Sequence, residues 1–182
     1  SPKPLLRLGD GTYLDRVLRT LAAAPVGPVV VVLGAASEAI RARVDFGGAL
    51  AVDNPDWRAG MLRSLQVAVE TLERTAPTAR ALLMCLVDTP RFATATVAAL
   101  VTEFLRTGAP IVQPSHDGEH GHPILLSRRV WPDILTASGE NGPRQVVDAH
   151  RDDGRIVDVP DPWILRDADT PAEHERLSGE SQ

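Results

Sequence analysis

Apolar positions along the chain fall into two rhythms. Runs at 29–33, 49–52, 81–87 and 111–113 read as strands. The first and third are continuously apolar, the pattern of strands covered on both faces of a parallel sheet. Between the runs, apolar residues recur at helical spacing. Leu14, Val17, Leu18 and Leu21 form one stripe, and Leu62, Leu65, Val69 and Leu72 a second. Val97, Leu100, Val101, Phe104 and Leu105 form a third. Thr94 is positioned to cap the third helix, and Ser37 with Glu38 to open a short helix over 37–44. Strand and helix alternate, which predicts βαβ units in an α/β sandwich.

After about residue 115 the rhythm changes. The polar, Gly-rich stretch HDGEHGH (116–122) reads as a loop. Strands are expected at 123–127, 156–159 and 163–166, and helices at 128–136, 142–150 and 171–177. The last five residues, 178–182, read as a frayed tail after a single domain over 1–177.

Composition narrows the function classes. The chain has 182 residues, a net charge of −5 and 43% hydrophobic residues. The acidic balance argues against a nucleic-acid partner but not against a small anionic ligand. No apolar run approaches the roughly 20 residues of a membrane span, and no signal peptide is visible. The single cysteine, Cys85, excludes an internal disulfide and fits a reducing compartment, so a cytoplasmic location is expected.

In an open α/β sheet, ligands bind beyond the carboxyl ends of the strands. There the run 81–87 delivers Asp88-Thr89-Pro90, and the expected strand 163–166 delivers Asp167-Ala168-Asp169-Thr170-Pro171. Two carboxylates at one rim suit a hard divalent cation such as Mg²⁺; singly, each also suits a helix cap. Asn54, Gly60 and Ser64 lie in a loop leading to a helix, the setting of an anion or nucleotide site. The histidines of HDGEHGH match no standard zinc spacing. Lys3 is the only lysine; the other 18 of the 19 basic residues are Arg. A compact ammonium is suited to following a phosphate.

These segments together resemble the nucleotidyltransferases of molybdenum-cofactor biosynthesis, specifically the molybdenum cofactor cytidylyltransferase type. Pro2-Lys3-Pro4-Leu5-Leu6 looks like the tail of that family's Gly-rich opening motif. Asn54, Trp57, Gly60, Ser64 and Leu65 match its N-x-x-W-x-x-G-x-x-x-S-L segment. Asp88-Thr89-Pro90 matches D-x-P, and Gly121-His122-Pro123 the G-H-P element typical of the cytidylyl branch. Residues 139–144 resemble G-D-x-G-x-R, with Glu140-Asn141 in place of Asp-x, and Asp167–Pro171 matches D-x-D-T-P. The resemblance spans essentially the whole chain.

It implies a three-layer α/β/α sandwich with a Rossmann-like, mostly parallel sheet of the nucleotide-diphospho-sugar transferase type. The first strand and Gly-rich loop are then expected to be missing from the sequence shown. The implied activity is Mg²⁺-dependent transfer of a nucleotidyl group, CMP from CTP favoured, to a phosphorylated acceptor such as molybdopterin. The implied nucleotide contacts are Lys3, Asn54, Gly60, Ser64 and Asp88, with Lys3 and Asp88 catalytic. Metal falls to Asp88 with Asp167 or Asp169, and the acceptor to Gly121, His122, Pro123 and Arg144. A protein that receives the finished cofactor is a further expected partner. The alternatives are a non-catalytic nucleotide- or partner-binding relative, and a nucleotidyltransferase using phospholactate or a sugar phosphate.

Overall fold

The structure, a computed structural model, describes residues 2–139 and 141–166. The chain opens on a turn of 3₁₀ helix, Lys3–Leu5, and a two-residue hairpin, β1 (Arg7–Leu8) with β2 (Gly11–Thr12). Helix α1 (Tyr13–Ala22) starts at a reciprocal cap. The Thr12 hydroxyl accepts from the Asp15 N–H, and the Asp15 carboxylate accepts from the Thr12 N–H at 2.8 Å. β3 (Val30–Leu33), the short α2 (Ser37–Arg41) and β4 (Leu50–Asp53) form a parallel βαβ unit, Val30 opposite Leu50 and Leu33 opposite Asp53. Helix α3 (Met61–Thr75) leads to β5 (Ala81–Met84), and α4 (Thr94–Thr107) to β6 (Ile111–His116). β7 (Glu119–His120), β8 (Ile124–Ser127), α5 (Trp131–Thr136), α6 (Gly142–Ala149) and β9 (Arg155–Asp158) complete the described elements.

β8 lies between β5 and β6 and is antiparallel to both, while β9 is parallel to β6. Thus β5, β6 and β9 run the same way and β8 is reversed, giving a mixed α/β sheet in which parallel directions prevail. Helices cover both faces. Ile124 and Leu126 of β8 join Leu65, Val69, Trp131, Ile134 and Val146 from α3, α5 and α6. Leu125, on the opposite face, joins Leu100 and Phe104 of α4. This is why the strand reads as continuously apolar: alternate side chains enter different cores, each contributing about 1.5–3 kcal/mol when fully buried.

Among the described residues the β3–β4 pair shares no ladder with the larger sheet. Between β3 and β5 lies an apolar cleft of about 990 Å³, lined by Val30, Val32, Leu18, Leu65, Leu83 and Cys85 among others. Among the described residues β3 pairs only with β4, and β5 only with β8.

Several expectations are corrected locally. Residues 163–166 are not a strand. Asp161 accepts from the Trp163 N–H at 3.1 Å and Pro162 follows, so Pro162–Leu165 coils into 3₁₀ helix. Thr94 does not cap α4; Ala93 precedes the helix, and the cap comes from Asp161, 68 positions on. The short helix opens at Ser37 as expected, with Ala36 (φ 61°) as its N-cap residue and no side-chain cap, but it ends at Arg41 rather than at 44. HDGEHGH is a hairpin tip rather than a free loop. Asp117 (φ 51°) and Gly118 (φ 82°) form a tight turn between His116 and Glu119. The run 81–87 is hydrogen-bonded as strand only to Met84, where its partner β8 begins at Ile124 after Pro123. The expected helix 171–177 and the tail 178–182 lie outside the described residues.

Candidate active site

Leu5 anchors the N-terminal turn by packing with Leu14, Leu33, Ile40 and Val44. The turn is closed by Leu5 N–H to Pro2 O (2.9 Å) and Leu6 N–H to Lys3 O (3.0 Å). That anchoring aims Lys3 at the end of the central run. Its Nζ lies 3.6 Å from Asp88 Oδ2, with side-chain exposures of 42% and 25%. So exposed a pair contributes at most about 1 kcal/mol, and its significance is placement rather than stability. Asp88 itself is held by a tight turn, Thr89 N–H to Leu86 O at 3.2 Å. Its other oxygen, Oδ1, is buried and has no hydrogen-bond partner.

His122 lies on the segment that leads into β8, the strand paired with β5. Its main-chain N–H donates to Ile164 O at 2.9 Å. Gly121 beside it admits no side chain: a Cβ there would lie 2.2 Å from the same carbonyl. His122 Nδ1 is buried without a partner. Burial holds the imidazole below its ordinary pKa, and the Asp88 charge opposes the shift less strongly. Burial therefore favours the uncharged form of the ring.

A second group of predicted residues gathers at the start of α3. Asn54 is 2% exposed and fully engaged. Its main-chain N–H reaches Leu33 O (2.7 Å), its side-chain oxygen accepts from Asp56 N–H (3.0 Å), and its side-chain nitrogen donates to Ser64 Oγ (3.1 Å). Asn54 thus fixes the loop and orients Ser64. Gly60 enters α3 at φ 93°, ψ −173°, a conformation essentially reserved for glycine. Trp57 packs on Gly34 after β3, where a Cβ would lie 2.7 Å from the tryptophan Cβ.

Arg144 stands apart, on α6, with its side chain 82% exposed and its guanidinium 3.8 Å from Asp148. The start of α6 nonetheless rests on the first turn of α3: a Cβ on Gly142 would lie 2.4 Å from Leu62. Asp167 and Asp169 lie outside the described residues. Among the described residues no group of three or more His, Cys, Asp or Glu side chains forms a metal cluster. His116, set aside as a zinc ligand, is engaged through Nδ1 with Val159 O at 2.9 Å.

The sequence reading missed two neighbours. Tyr13, the chain's single tyrosine, is fully buried, and burial raises its pKa while Lys3 opposes the shift. Its being the only tyrosine was an available signal. Trp163 is flanked by two guanidiniums, Arg91 at 4.1 Å and Arg166 at 5.3 Å from the ring centroid. No periodicity or motif marks that stack.

The chain is 28% identical to nicotine blue oxidoreductase of Paenarthrobacter nicotinovorans, over 97% of this chain and 88% of that protein. Rv0371c of Mycobacterium tuberculosis H37Rv is 29% identical, with a TM-score of 0.83 over 98% of this chain and 89% of that one. Its complex with manganese superposes with a TM-score of 0.82 at 29% identity, over 99% of this chain and 92% of that one. CMP:2-keto-3-deoxy-manno-octonic acid synthetase complexed with CTP shares the fold at 15% identity and a TM-score of 0.76, over 97% of this chain and 90% of that one. No helix among the described residues is long and apolar enough to cross a membrane. The MobA-like NTP transferase domain matches residues 1–154, so the chain belongs to that family and is a nucleotidyltransferase.

Proposed function

We propose that residues 1–177 form one domain that transfers CMP from CTP to a phosphorylated acceptor of the molybdopterin type, with a divalent cation such as Mg²⁺. The observation that carries this reading is the ion pair of Lys3 with Asp88 beyond the end of β5, whose partner strand β8 is entered through His122. Lys3 precedes the first helix, Asp88 follows the half-buried strand β5, and His122 leads into β8. Three sequence-distant segments converge where an α/β sheet binds its ligand.

The reaction joins an acceptor phosphate oxygen to the α-phosphorus of CTP. The bond to the β-phosphate breaks in line, and pyrophosphate leaves with the electron pair. Such a displacement needs positioning and charge stabilisation more than covalent help. Lys3 balances charge on the triphosphate. Asp88, with Asp167 or Asp169, holds the cation, which when bound neutralises phosphate charge. Gly60 allows the main chain to approach the nucleotide, while Asn54 keeps Ser64 oriented toward it. Gly121, His122 and Pro123 face the acceptor. Arg144, solvent-facing on the first turn of α6, offers a forked clamp for the acceptor phosphate. A neutral His122 suits this chemistry, because an acceptor phosphate is already ionised and requires no base.

The test is pyrophosphate release from CTP plus a phosphorylated acceptor. Asp88→Ala is expected to lower turnover by at least about 100-fold with an unchanged circular-dichroism spectrum. Retained turnover would remove Asp88 from the metal site. Running molybdopterin, phospholactate and sugar phosphates in parallel identifies the acceptor.

A further inference from the structure

Trp163 holds two cations at one ring, the guanidinium of Arg91 at 4.1 Å and that of Arg166 at 5.3 Å from the centroid. The stack stands on a common support. The buried Asp161 carboxylate accepts from the Trp163 N–H (3.1 Å) and from the Ala93 N–H (2.8 Å), so the segments bearing the ring and Arg91 are tied to one side chain. Arg91 is fixed further by its buried neighbours Pro90 and Phe92. Trp163 packs on the buried Tyr13, as do Leu6 and Val87, which stand three residues after Lys3 and one before Asp88. The next residue, Ile164, accepts at its carbonyl from the His122 N–H at 2.9 Å. The stack therefore borders the segments that carry Lys3, Asp88 and His122.

We propose that this stack is an anion site, in which Arg91 takes the phosphate monoester of the acceptor and Arg166 adds positive charge beside it. The inference rests on the reading that the acceptor is phosphorylated. A cation over a ring is held by the ring quadrupole rather than by an acceptor atom, and a guanidinium has five N–H donors to offer a ligand. Its planar fork matches two phosphate oxygens at once. Because Arg91 is already held on the ring, little side-chain freedom is lost on binding. Arg91 is also half-buried, where a charge pair is screened less than at the open surface. Arg144, by contrast, is 82% exposed, and its guanidinium lies 3.8 Å from Asp148 of its own helix. In a chain of net charge −5, a local positive site of this kind is what draws in a small anion.

The experiment reads anion binding apart from turnover. Inorganic phosphate is titrated calorimetrically into the full-length protein without nucleotide. The wild type is expected to bind it, and Arg91→Ala to bind it about 10–100-fold more weakly. Arg91→Lys keeps the charge but loses the fork, and should fall between the two. Arg106→Ala removes an exposed arginine paired with Glu103 on α4 and should bind as wild type. Should Arg91→Ala fail to fold, Arg91→Gln repeats the measurement. Phosphate binding that is absent in the wild type, unchanged without Arg91, or weakened equally in Arg106→Ala overturns the inference. In the transfer assay Arg91→Ala should raise KM for the acceptor while KM for CTP stays within about twofold. A rise in KM for CTP instead would assign the stack to the triphosphate and overturn the inference. Arg91-dependent phosphate binding in a protein that turns over no phosphorylated acceptor would leave the anion site standing and remove the transfer reading.

Discussion

Cys85 shows how position sets the chemistry of a residue. It lines the cleft between β3 and β5, and burial among apolar groups pushes its thiol from 9.0 up to about 12. The folded state therefore favours the protonated form. As pH rises past 9, the unfolded chain loses this proton first while the folded chain keeps it. The stabilisation is complete below pH 9 and is lost as pH climbs toward 12, at about 1.4 kcal/mol per pH unit. Urea unfolding at pH 8, 9 and 10 should show a steeper alkaline decline in the wild type than in Cys85→Ala, since other groups titrate equally in both. An identical decline would place the thiol in a polar environment.

Elements are joined by single side chains that span them, and Asp161 is the clearest. It is buried, and its carboxylate accepts from Ala93 N–H (2.8 Å), Thr96 Oγ1 (2.6 Å) and Trp163 N–H (3.1 Å). One residue thereby caps α4 and turns the chain at Pro162–Leu165. Asp161→Ala strands three donors and is expected to cost about 2–4 kcal/mol, combining a lost cap with unmet buried groups. Urea denaturation measures it, and a loss under about 0.5 kcal/mol would mean that water replaces the carboxylate. This contact also marks the limit of sequence reading. The helical stripes of α1, α3 and α4 and the apolar runs of β3 and β5 were legible, because spacing alone dictates which face is buried. Thr94 was the local candidate for the α4 cap, and nothing in the local pattern points instead to Asp161. Likewise Ile124–Ser127 reads as a buried strand, but its reversed direction follows from tertiary pairing rather than from its composition. At the site, Lys3, Asp88 and His122 were each visible through motif resemblance. The Lys3–Asp88 ion pair was not, nor was the Arg91–Trp163–Arg166 stack.

At the scale of the molecule, the two sheet pieces explain what a nucleotide should do. The β3–β4 unit carries Asn54 and the loop to Gly60; the β5–β8–β6–β9 unit carries Asp88 and leads to His122. No backbone ladder among the described residues joins the two units, and α3 is the main bridge, packing Leu65 and Leu72 against the larger sheet with Val30 of β3 alongside. On the proposed reading a nucleoside triphosphate contacts both units and binds only the folded chain. At about 100 times its Kd such a ligand stabilises by roughly 2.7 kcal/mol. For a chain of this size that corresponds to a rise in Tm of about 5–10 °C. CTP with Mn²⁺ or Mg²⁺ should give this shift and GTP a smaller one, because Gly121-His122-Pro123 follows the cytidylyl pattern. Thermal unfolding across the four nucleoside triphosphates decides it. Equal shifts for CTP and GTP would refute the cytidylyl preference. A CTP shift that vanishes in Asp88→Ala, while the variant's own Tm stays within about 2 °C of wild type, would tie the gain to ligand bridging at this carboxylate rather than to general compaction.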